Sequence, residues 1–392
     1  MTLRAPPWAA LIPLGACAST PTSSTETTTA AAEVSDASPP KAEAPRGWPL
    51  YESYARRFVE TGRVVDITAG ARSTSEGQAY GLFFALVAND RARFDAIASW
   101  TRDNLMGGTW EGLAAWLWGA DGEGRWRVLD PNSATDADLW MAYAFLEAGR
   151  LWNAPELTTR GHRLAEQALK ANLRHLEGLG PVLLPAPLGF EEDEGRRAKL
   201  NPSYLVPAQL ERFADAGVPG PWGELERTAE KIIVETSVRG FSPDWVIWQE
   251  GSGFLLEEDA KSSYDAIRVP LFSAFGASRA VTDAVSGPIR AFAASGHLFE
   301  RFQLTPELRP EGRAPPGFAA ALLPAAHKVA PAAAADLTAL LEGYRHGPLY
   351  GHPATYYDQN LILFGRGYLE RRFELGPRGR LRVAWAGEDC PP

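Results

Sequence analysis

Three acidic residues at predicted helix starts are the strongest candidates for chemistry in this chain. Glu76 lies in STSEGQAYG, Asp136 in NSATDADLW and Asp265 in SSYDAIRVP. Carboxyl groups donate protons and hold water, and a converging pair of them beside aromatic rings is the equipment for glycoside hydrolysis. Each acid also has a simpler interpretation, because negative charge in the first turn of a helix is favoured by the helix dipole alone.

For Glu76 the local sequence leaves two interpretations open. Ser73 followed three residues later by Glu76, just before an apolar run, fits the capping box, in which the two side chains bind backbone amides of the helix start. In the alternative, Glu76 points away from its own backbone and faces a cleft. In the first interpretation the Glu76 carboxylate binds the Ser73 amide. In the second it faces Asp265 across a groove.

Other kinds of chemistry find little support in the sequence. The formal net charge of −9 gives no basic surface for nucleic acid, so no nucleic-acid partner is expected. The chain has two cysteines, and its six histidines never fall in HExxH or HxH spacing, so neither a metal nor another cofactor is expected. The GxSxG pattern of serine hydrolases is absent as well.

The amino terminus is predicted to be processed rather than folded. Residues 1–17, with one basic residue, an apolar run and the ending LGAC, have the layout of a signal peptide with a lipobox, which predicts lipidation at Cys17. Ordinary cleavage near Ala18 or Ser19 is the alternative. Residues 18–46 are rich in Ser, Thr, Ala and Pro and predict a disordered tether. We therefore expect an exported protein, periplasmic and lipid-anchored or otherwise secreted, with one catalytic domain over 47–392.

Apolar residues of this domain recur mostly at helical spacing. About twelve helices are predicted, at 49–60, 75–88, 91–105, 135–152, 158–175, 203–215, 221–236, 262–278, 280–295, 317–328, 331–344 and 355–370. Short connections pair them as helical hairpins, which we expect to close into a double ring. In such a ring the inner helices run in one direction, so acids at their starts converge at one mouth.

Three segments are predicted to be β-hairpins instead of helices. They are residues 116–128, 240–258 and 371–385, each with aromatic and β-branched residues around a Gly-rich turn. The first two carry five of the 13 tryptophans. Half-exposed indole rings suit stacking on a flat ligand, which would place the hairpins along a cleft. That these rings merely pack on helix ends is an equally open interpretation.

With these motifs in order, the chain resembles glycoside hydrolase family 8 from about Trp48 to Cys390. The resemblance rests on TSEGQAYGLFFALVANDRARFD, AWLWG, LDPNSATDADLWMA, LNPSYLVP, GFSPDWV, SYDAIRV and YYDQNLILFG. It implies an all-α (α/α)6 barrel of six helical hairpins, with short β-hairpins lining the cleft. It also implies an inverting endo-1,4-β-glucanase with a β-1,4-glucan substrate and a functional association with cellulose synthase.

The resemblance also implies roles for individual residues. Glu76 occupies the family's general-acid position, Asp265 its general-base position, and Asp136 the position of an acid beneath the sugar at the cleavage subsite. Four further residues are implied as substrate or water contacts: Trp116, Tyr204, Arg268 and Tyr357. The alternatives are the same fold acting on another β-glycan such as xylan or chitosan, and a non-catalytic glycan-binding protein.

Overall fold

The computed structural model describes residues 47–276 and 278–387. The predicted signal peptide, the tether and the lipidation site at Cys17 therefore lie outside the described residues. Thirteen α-helices dominate this part of the chain. They are α1 (Pro49–Phe58), α2 (Ser75–Val87), α3 (Arg91–Leu105), α4 (Thr135–Leu151), α5 (Pro155–Asn172), α6 (Pro207–Asp215), α7 (Trp222–Thr236), α8 (Arg268–Ser273), α9 (Arg279–Ala284), α10 (Gly287–Ser295), α11 (Pro316–Val329), α12 (Pro331–Glu342) and α13 (Tyr356–Leu369).

The helices divide into buried and amphipathic ones. In α2 every residue except Glu76 is buried, and α4, α11 and α13 are buried over most of their length. By contrast, α5 and α7 bury one stripe and expose the other face. A helix that is apolar on all sides has to lie inside, and an amphipathic helix covers it. The sequence thus sorts the helices into an inner and an outer layer.

Aromatic rings fill the space between the inner helices. The ring of Phe364 on α13 lies 5.4 Å from Phe83 on α2, 5.1 Å from Trp140 on α4 and 5.5 Å from Phe272 on α8. The Phe364 ring of α13 therefore packs against side chains from three other inner helices. Rings of this size bury large apolar areas and lock the helix starts into fixed relative positions.

Three of the predicted helices differ in the structure. The predicted helix 203–215 begins only at Pro207, because residues 202–204 form a 3₁₀ turn. The predicted helix 262–278 is reduced to α8, because residues 263–267 form a turn, so Asp265 precedes a helix instead of lying in its first turn. The predicted helix 280–295 is divided into α9 and α10, and the second begins at Gly287 with Pro288 in its first turn. Proline fits the first turn of a helix but lacks the amide that a continuous helix needs, so the chain restarts there.

Short antiparallel sheets decorate the helices. They are β1 (Val59–Glu60) with β2 (Arg63–Val64); β3 (Ser73–Thr74) with β4 (Leu117–Ala120) and β5 (Trp126–Asp130); β6 (Leu173–Leu176) with β7 (Gly180–Leu183); β8 (Glu191–Glu192), β9 (Arg197–Leu200), β10 (Val246–Gln249) and β11 (Gly253–Leu255); β12 (Lys261–Ser262), β13 (Arg301–Gln303) and β14 (Arg309–Glu311); β15 (Arg345–His346) with β16 (Leu349–Tyr350); and β17 (Phe373–Leu375) with β18 (Leu381–Val383). All three predicted hairpins are present, as β4–β5, β10–β11 and β17–β18.

The carboxy-terminal hairpin β17–β18 belongs to the core. The ring of Phe373 lies 5.1 Å from Phe83. The fully buried Glu147 of α4 accepts hydrogen bonds from the Leu381 amide at 2.9 Å and from Arg212 Nε at 2.5 Å. Glu147 is eleven residues after Asp136 on the same helix, about 16 Å along its axis. The hairpin therefore closes the end of the inner helices opposite the predicted acids.

We predict that Glu147→Gln destabilises the fold by about 2 kcal/mol, because it removes the buried charge that pairs with Arg212, which keeps its other partner, Asp215, at 3.0 Å. Thermal unfolding followed by circular dichroism measures the change. The matched control is Glu374→Gln, since Glu374 pairs with Arg382 at 4.0 Å on the surface and should contribute little. Equal melting temperatures for the two variants would contradict the importance of the buried ion pair.

Candidate active site

The first turn of α2 decides between the two interpretations of Glu76. Thr74, not Ser73, caps the helix, because its hydroxyl accepts the Gly77 amide at 3.1 Å. The Ser73 hydroxyl instead donates to the Val64 carbonyl at 2.6 Å. The prediction of a capping box formed by Ser73 and Glu76 is therefore wrong. The Glu76 carboxylate instead accepts a hydrogen bond from Arg268.

Arg268 brings the three acids together. Its Nη1 donates to Glu76 Oε1 at 2.7 Å and to Asp136 Oδ2 at 3.3 Å, and its Nη2 donates to Asp265 Oδ1 at 2.8 Å. The Arg268 side chain is only 5% exposed. One buried cation thus faces carboxylates from the starts of α2 and α4 and from the turn before α8.

The three acids differ in their access to solvent. The side chains of Glu76 and Asp265 are 30% and 31% exposed, whereas that of Asp136 is 5% exposed. Asp136 Oδ1 also accepts the Ala137 amide at 2.8 Å. The Glu76 and Asp265 carboxyl groups are therefore accessible to water, while that of Asp136 is almost excluded from it.

Burial changes the proton affinity of Asp136. Desolvation, followed by the negative charge of Glu76, raises the pKa of Asp136 to about 7, although the Arg268 charge opposes the shift. A carboxyl group with this pKa carries a proton in a large fraction of molecules near neutral pH. The cluster therefore holds fewer negative charges than its three carboxyl groups would suggest.

Asp244 holds the turn that carries Asp265. The Asp244 carboxylate accepts the Ser263 amide at 2.8 Å, the Ala266 amide at 2.9 Å and the Ser263 hydroxyl. These bonds anchor the chain on both sides of Asp265. Asp244 is 4% exposed, and burial raises its pKa. Sequence reasoning missed this residue, and the only signal was an acid between Pro and Trp in GFSPDWV.

A cavity of about 480 Å³ lies beside this cluster of acids. Glu76 and Asp136 line it, together with the predicted contacts Trp116, Tyr204 and Tyr357. Sequence reasoning missed other wall residues, among them Asp66, Arg72, Tyr264 and Tyr356. The wall thus combines carboxyl groups with aromatic rings.

The predicted contact residues take up different positions around this cavity. The Tyr357 hydroxyl donates to the Tyr264 carbonyl at 2.5 Å, which fixes its ring on the wall. The Tyr204 ring lies 5.7 Å from the Arg268 guanidinium carbon. The fourth predicted contact, Arg268, is buried, and its shortest hydrogen bonds are those to the carboxylates of Glu76 and Asp265.

The hairpin tryptophans have mixed surroundings. Trp116 lines the cavity, but the rings of Trp118 and Trp126 stack on each other at 5.0 Å. The Trp245 ring stacks on Phe190 at 5.6 Å, and Trp248 is buried. Both open interpretations therefore apply, since one ring faces the cavity and the others contact protein rings.

In 47–276 and 278–387 no group of three or more His, Cys, Asp or Glu side chains has an arrangement that could hold a metal ion. No helix in the same ranges is sufficiently long and apolar to cross a membrane.

The sequence matches the family model described as glycosyl hydrolases family 8 over residues 38–370. The chain belongs to this family. A curated endoglucanase from Xanthomonas axonopodis pv. citri is 41% identical over 361 residues, which cover 88% of this chain and 91% of that protein. An endoglucanase from Escherichia coli O157:H7 is 38% identical over 354 residues, covering 88% and 92%.

A solved structure carries the same conclusion for the fold. The crystal structure of an endo-1,4-D-glucanase from Vibrio fischeri ES114 superposes with a TM-score of 0.80 at 33% identity, covering 87% of this chain and all of that one. The membership in family 8 that the motifs predicted is confirmed. The predicted (α/α)6 barrel is confirmed as well, with its short strands.

The pKa of Asp136 in this family 8 chain leads to a pH prediction. An unfolded Asp has a pKa of about 3.9, so between about pH 4 and pH 7 the folded state binds more protons and loses stability as the pH rises. Asp136→Asn removes this titration. We therefore expect the melting temperature of Asp136→Asn, relative to that of the wild type, to be higher at pH 8 than at pH 5.

The difference between the two melting temperatures is measured at both pH values, so a constant effect of the amide cancels. Glu123→Gln, which changes an exposed carboxyl group of the β4–β5 turn, is the control and should show no such change. A difference that stays constant or falls with pH would contradict a raised pKa at Asp136.

Proposed function

We propose that this family 8 protein is an endo-1,4-β-glucanase that hydrolyses internal β-1,4-glucosidic bonds with inversion. The observation that carries the proposal is the group of three carboxyl residues on Arg268, of which Glu76 and Asp136 line a cavity with aromatic walls. The curated relatives from Xanthomonas and Escherichia coli carry the name endoglucanase, which supports the same activity.

In this proposal Glu76 is the general acid and Asp265 the general base. Inversion needs one carboxyl group to protonate the leaving oxygen and another to hold water on the opposite face, with about 6.5 to 9.5 Å between them. Glu76 and Asp265 bind different nitrogens of the Arg268 fork, so one rigid group holds the proposed acid and the proposed base as separate carboxylates. Both are also partly exposed, as proton transfer to a ligand requires.

Asp136 has a different role in the proposal. It shares Arg268 Nη1 with Glu76 but is buried under the cavity, so it meets the sugar from below. There its hydrogen bonds would favour the distorted ring of the transition state. Trp116, Tyr204 and Tyr357 present rings from the wall, on which sugar faces stack, and Arg268 holds the acids in place.

Glu76→Gln and Asp265→Asn should each lower the release of reducing ends from carboxymethylcellulose by about a hundredfold or more, because each removes one of the two proton transfers. Melting temperatures report whether the variants fold. Glu123→Gln, in the exposed β4–β5 turn, serves as the active control.

Wild-type activity in both variants would refute the assignment of acid and base. The same assay on soluble β-glucan, xylan and chitosan, with product anomers followed by NMR, tests the substrate and the stereochemistry. We expect β-glucan to be cleaved fastest and the α-anomer to appear first. A preference for xylan or chitosan would favour the alternative β-glycan, and binding without cleavage would favour a glycan-binding protein.

The proposal includes the site of action. LGAC ending at Cys17 supports export followed by lipid anchoring in the periplasm, where nascent β-1,4-glucan from a cellulose synthase would be the substrate. We expect the full chain, expressed in a Gram-negative host, to fractionate with membranes and Cys17→Ser to lose that association. Equal fractionation of the two would contradict lipidation at Cys17.

A further inference from the structure

Arg268 has a further partner whose chemistry is constrained. Its Nη2, which binds Asp265, also binds the Ser203 hydroxyl oxygen at 2.9 Å. Ser203 is 1% exposed and lies in the 3₁₀ turn Pro202–Tyr204. A guanidinium group has donors only, so the Ser203 oxygen has to accept this bond, and its own proton has to point elsewhere.

The Ser203 hydroxyl donates its proton in a hydrogen bond to Asn201. Asn201 Oδ1 accepts the Ser203 hydroxyl at 2.7 Å and the Ser203 amide at 2.9 Å. Asn201 is 2% exposed, so water does not compete freely for these bonds. The two bonds to one oxygen fix both the backbone of the turn and the direction of the hydroxyl, which leaves the oxygen lone pairs facing Arg268.

We propose that Asn201 and Ser203 are positioning residues for catalysis, which act by orienting the Arg268 guanidinium. This inference rests on the proposed roles of Glu76 and Asp265. In it, Asn201 sets the hydroxyl of Ser203, Ser203 holds Nη2, and the planar guanidinium then holds the acid on one nitrogen and the base on the other.

The rigid shape of the guanidinium explains why its orientation matters. Glu76 binds Nη1 and Asp265 binds Nη2, so a rotation of the plane moves the two carboxylates together relative to a bound sugar. Small displacements of reacting groups cost large factors in rate. Ser203 is a neutral acceptor in a cluster of charges, and it directs Nη2 without adding a fourth carboxylate.

The same turn also carries part of the cavity wall. Tyr204 follows Ser203 directly, lines the cavity and places its ring 5.7 Å from the guanidinium carbon. The turn is anchored at Asn201, and it therefore orients the Arg268 guanidinium and also places Tyr204 on the cavity wall. The Ser203 hydroxyl thus binds the same guanidinium that holds both the proposed acid and the proposed base.

The decisive experiment compares Ser203→Thr with Ser203→Val. Thr and Val have nearly the same shape, so both add the same volume to a buried site, but only Thr keeps the hydroxyl. We expect Ser203→Val to lower kcat on cellopentaose about tenfold relative to Ser203→Thr, with KM changed less than about twofold.

Asn201 offers a second matched pair. Its Nδ2 has no hydrogen-bond partner among the residues that the structure describes, so Asn201→Asp keeps the accepting oxygen without losing a bond. Asn201→Leu removes the acceptor at similar volume. We expect Asn201→Asp to keep at least about fivefold more kcat than Asn201→Leu, and Asn201→Leu with Ser203→Val to cost little more than Ser203→Val alone.

Three outcomes would overturn the proposal: equal kcat values within both pairs, a loss confined to KM, or additive effects of Asn201→Leu and Ser203→Val. Glu76→Gln and Asp265→Asn are measured on cellopentaose alongside. If these two are inactive while the pairs show no hydroxyl dependence, the positioning role is wrong and the proposed function stands. If they are active, the proposed function fails. If one pair does not fold, the other decides.

Discussion

The charge balance around Arg268 is the constraint on which the rest of this structure depends. Three carboxyl residues approach one guanidinium that is almost fully buried, and removing such charges from water is costly unless they are paired and hydrogen-bonded. The cation cannot neutralise all three. Desolvation, followed by the negative charge of Glu76, raises the pKa of the most buried acid, Asp136, to about 7, while Glu76 and Asp265 stay partly exposed.

The inner helices deliver these groups to one place. Glu76 and Asp136 lie in the first turns of α2 and α4, where the helix dipoles favour negative charge, and rings such as Phe364 fix the distance between the helices. At its other end α4 carries Glu147, which ties the carboxy-terminal hairpin to the core. The same helix therefore supports the site at one end and closes the barrel at the other.

Much of this arrangement was predictable because it follows from local patterns. Glu76 and Asp136 begin apolar helices, and the periodicity of the chain indicates an inner and an outer layer. The turn at Asp265 was not predictable, since its residues also fit a helix and the bonds that hold it come from Asp244, distant in sequence. For the same reason nothing local indicated that Asn201 and Ser203 face Arg268.

The cap of α2 shows how tertiary contacts choose between equal local options. Ser73 and Thr74 both offer a hydroxyl, but the Val64 carbonyl binds that of Ser73, so Thr74 becomes the cap. Gly77 is needed next to Glu76, because a Cβ there would lie 2.3 Å from the Tyr356 hydroxyl on the cavity wall. With Thr74 capping the helix and Gly77 admitting the ring, the Glu76 carboxylate is left to face the cleft.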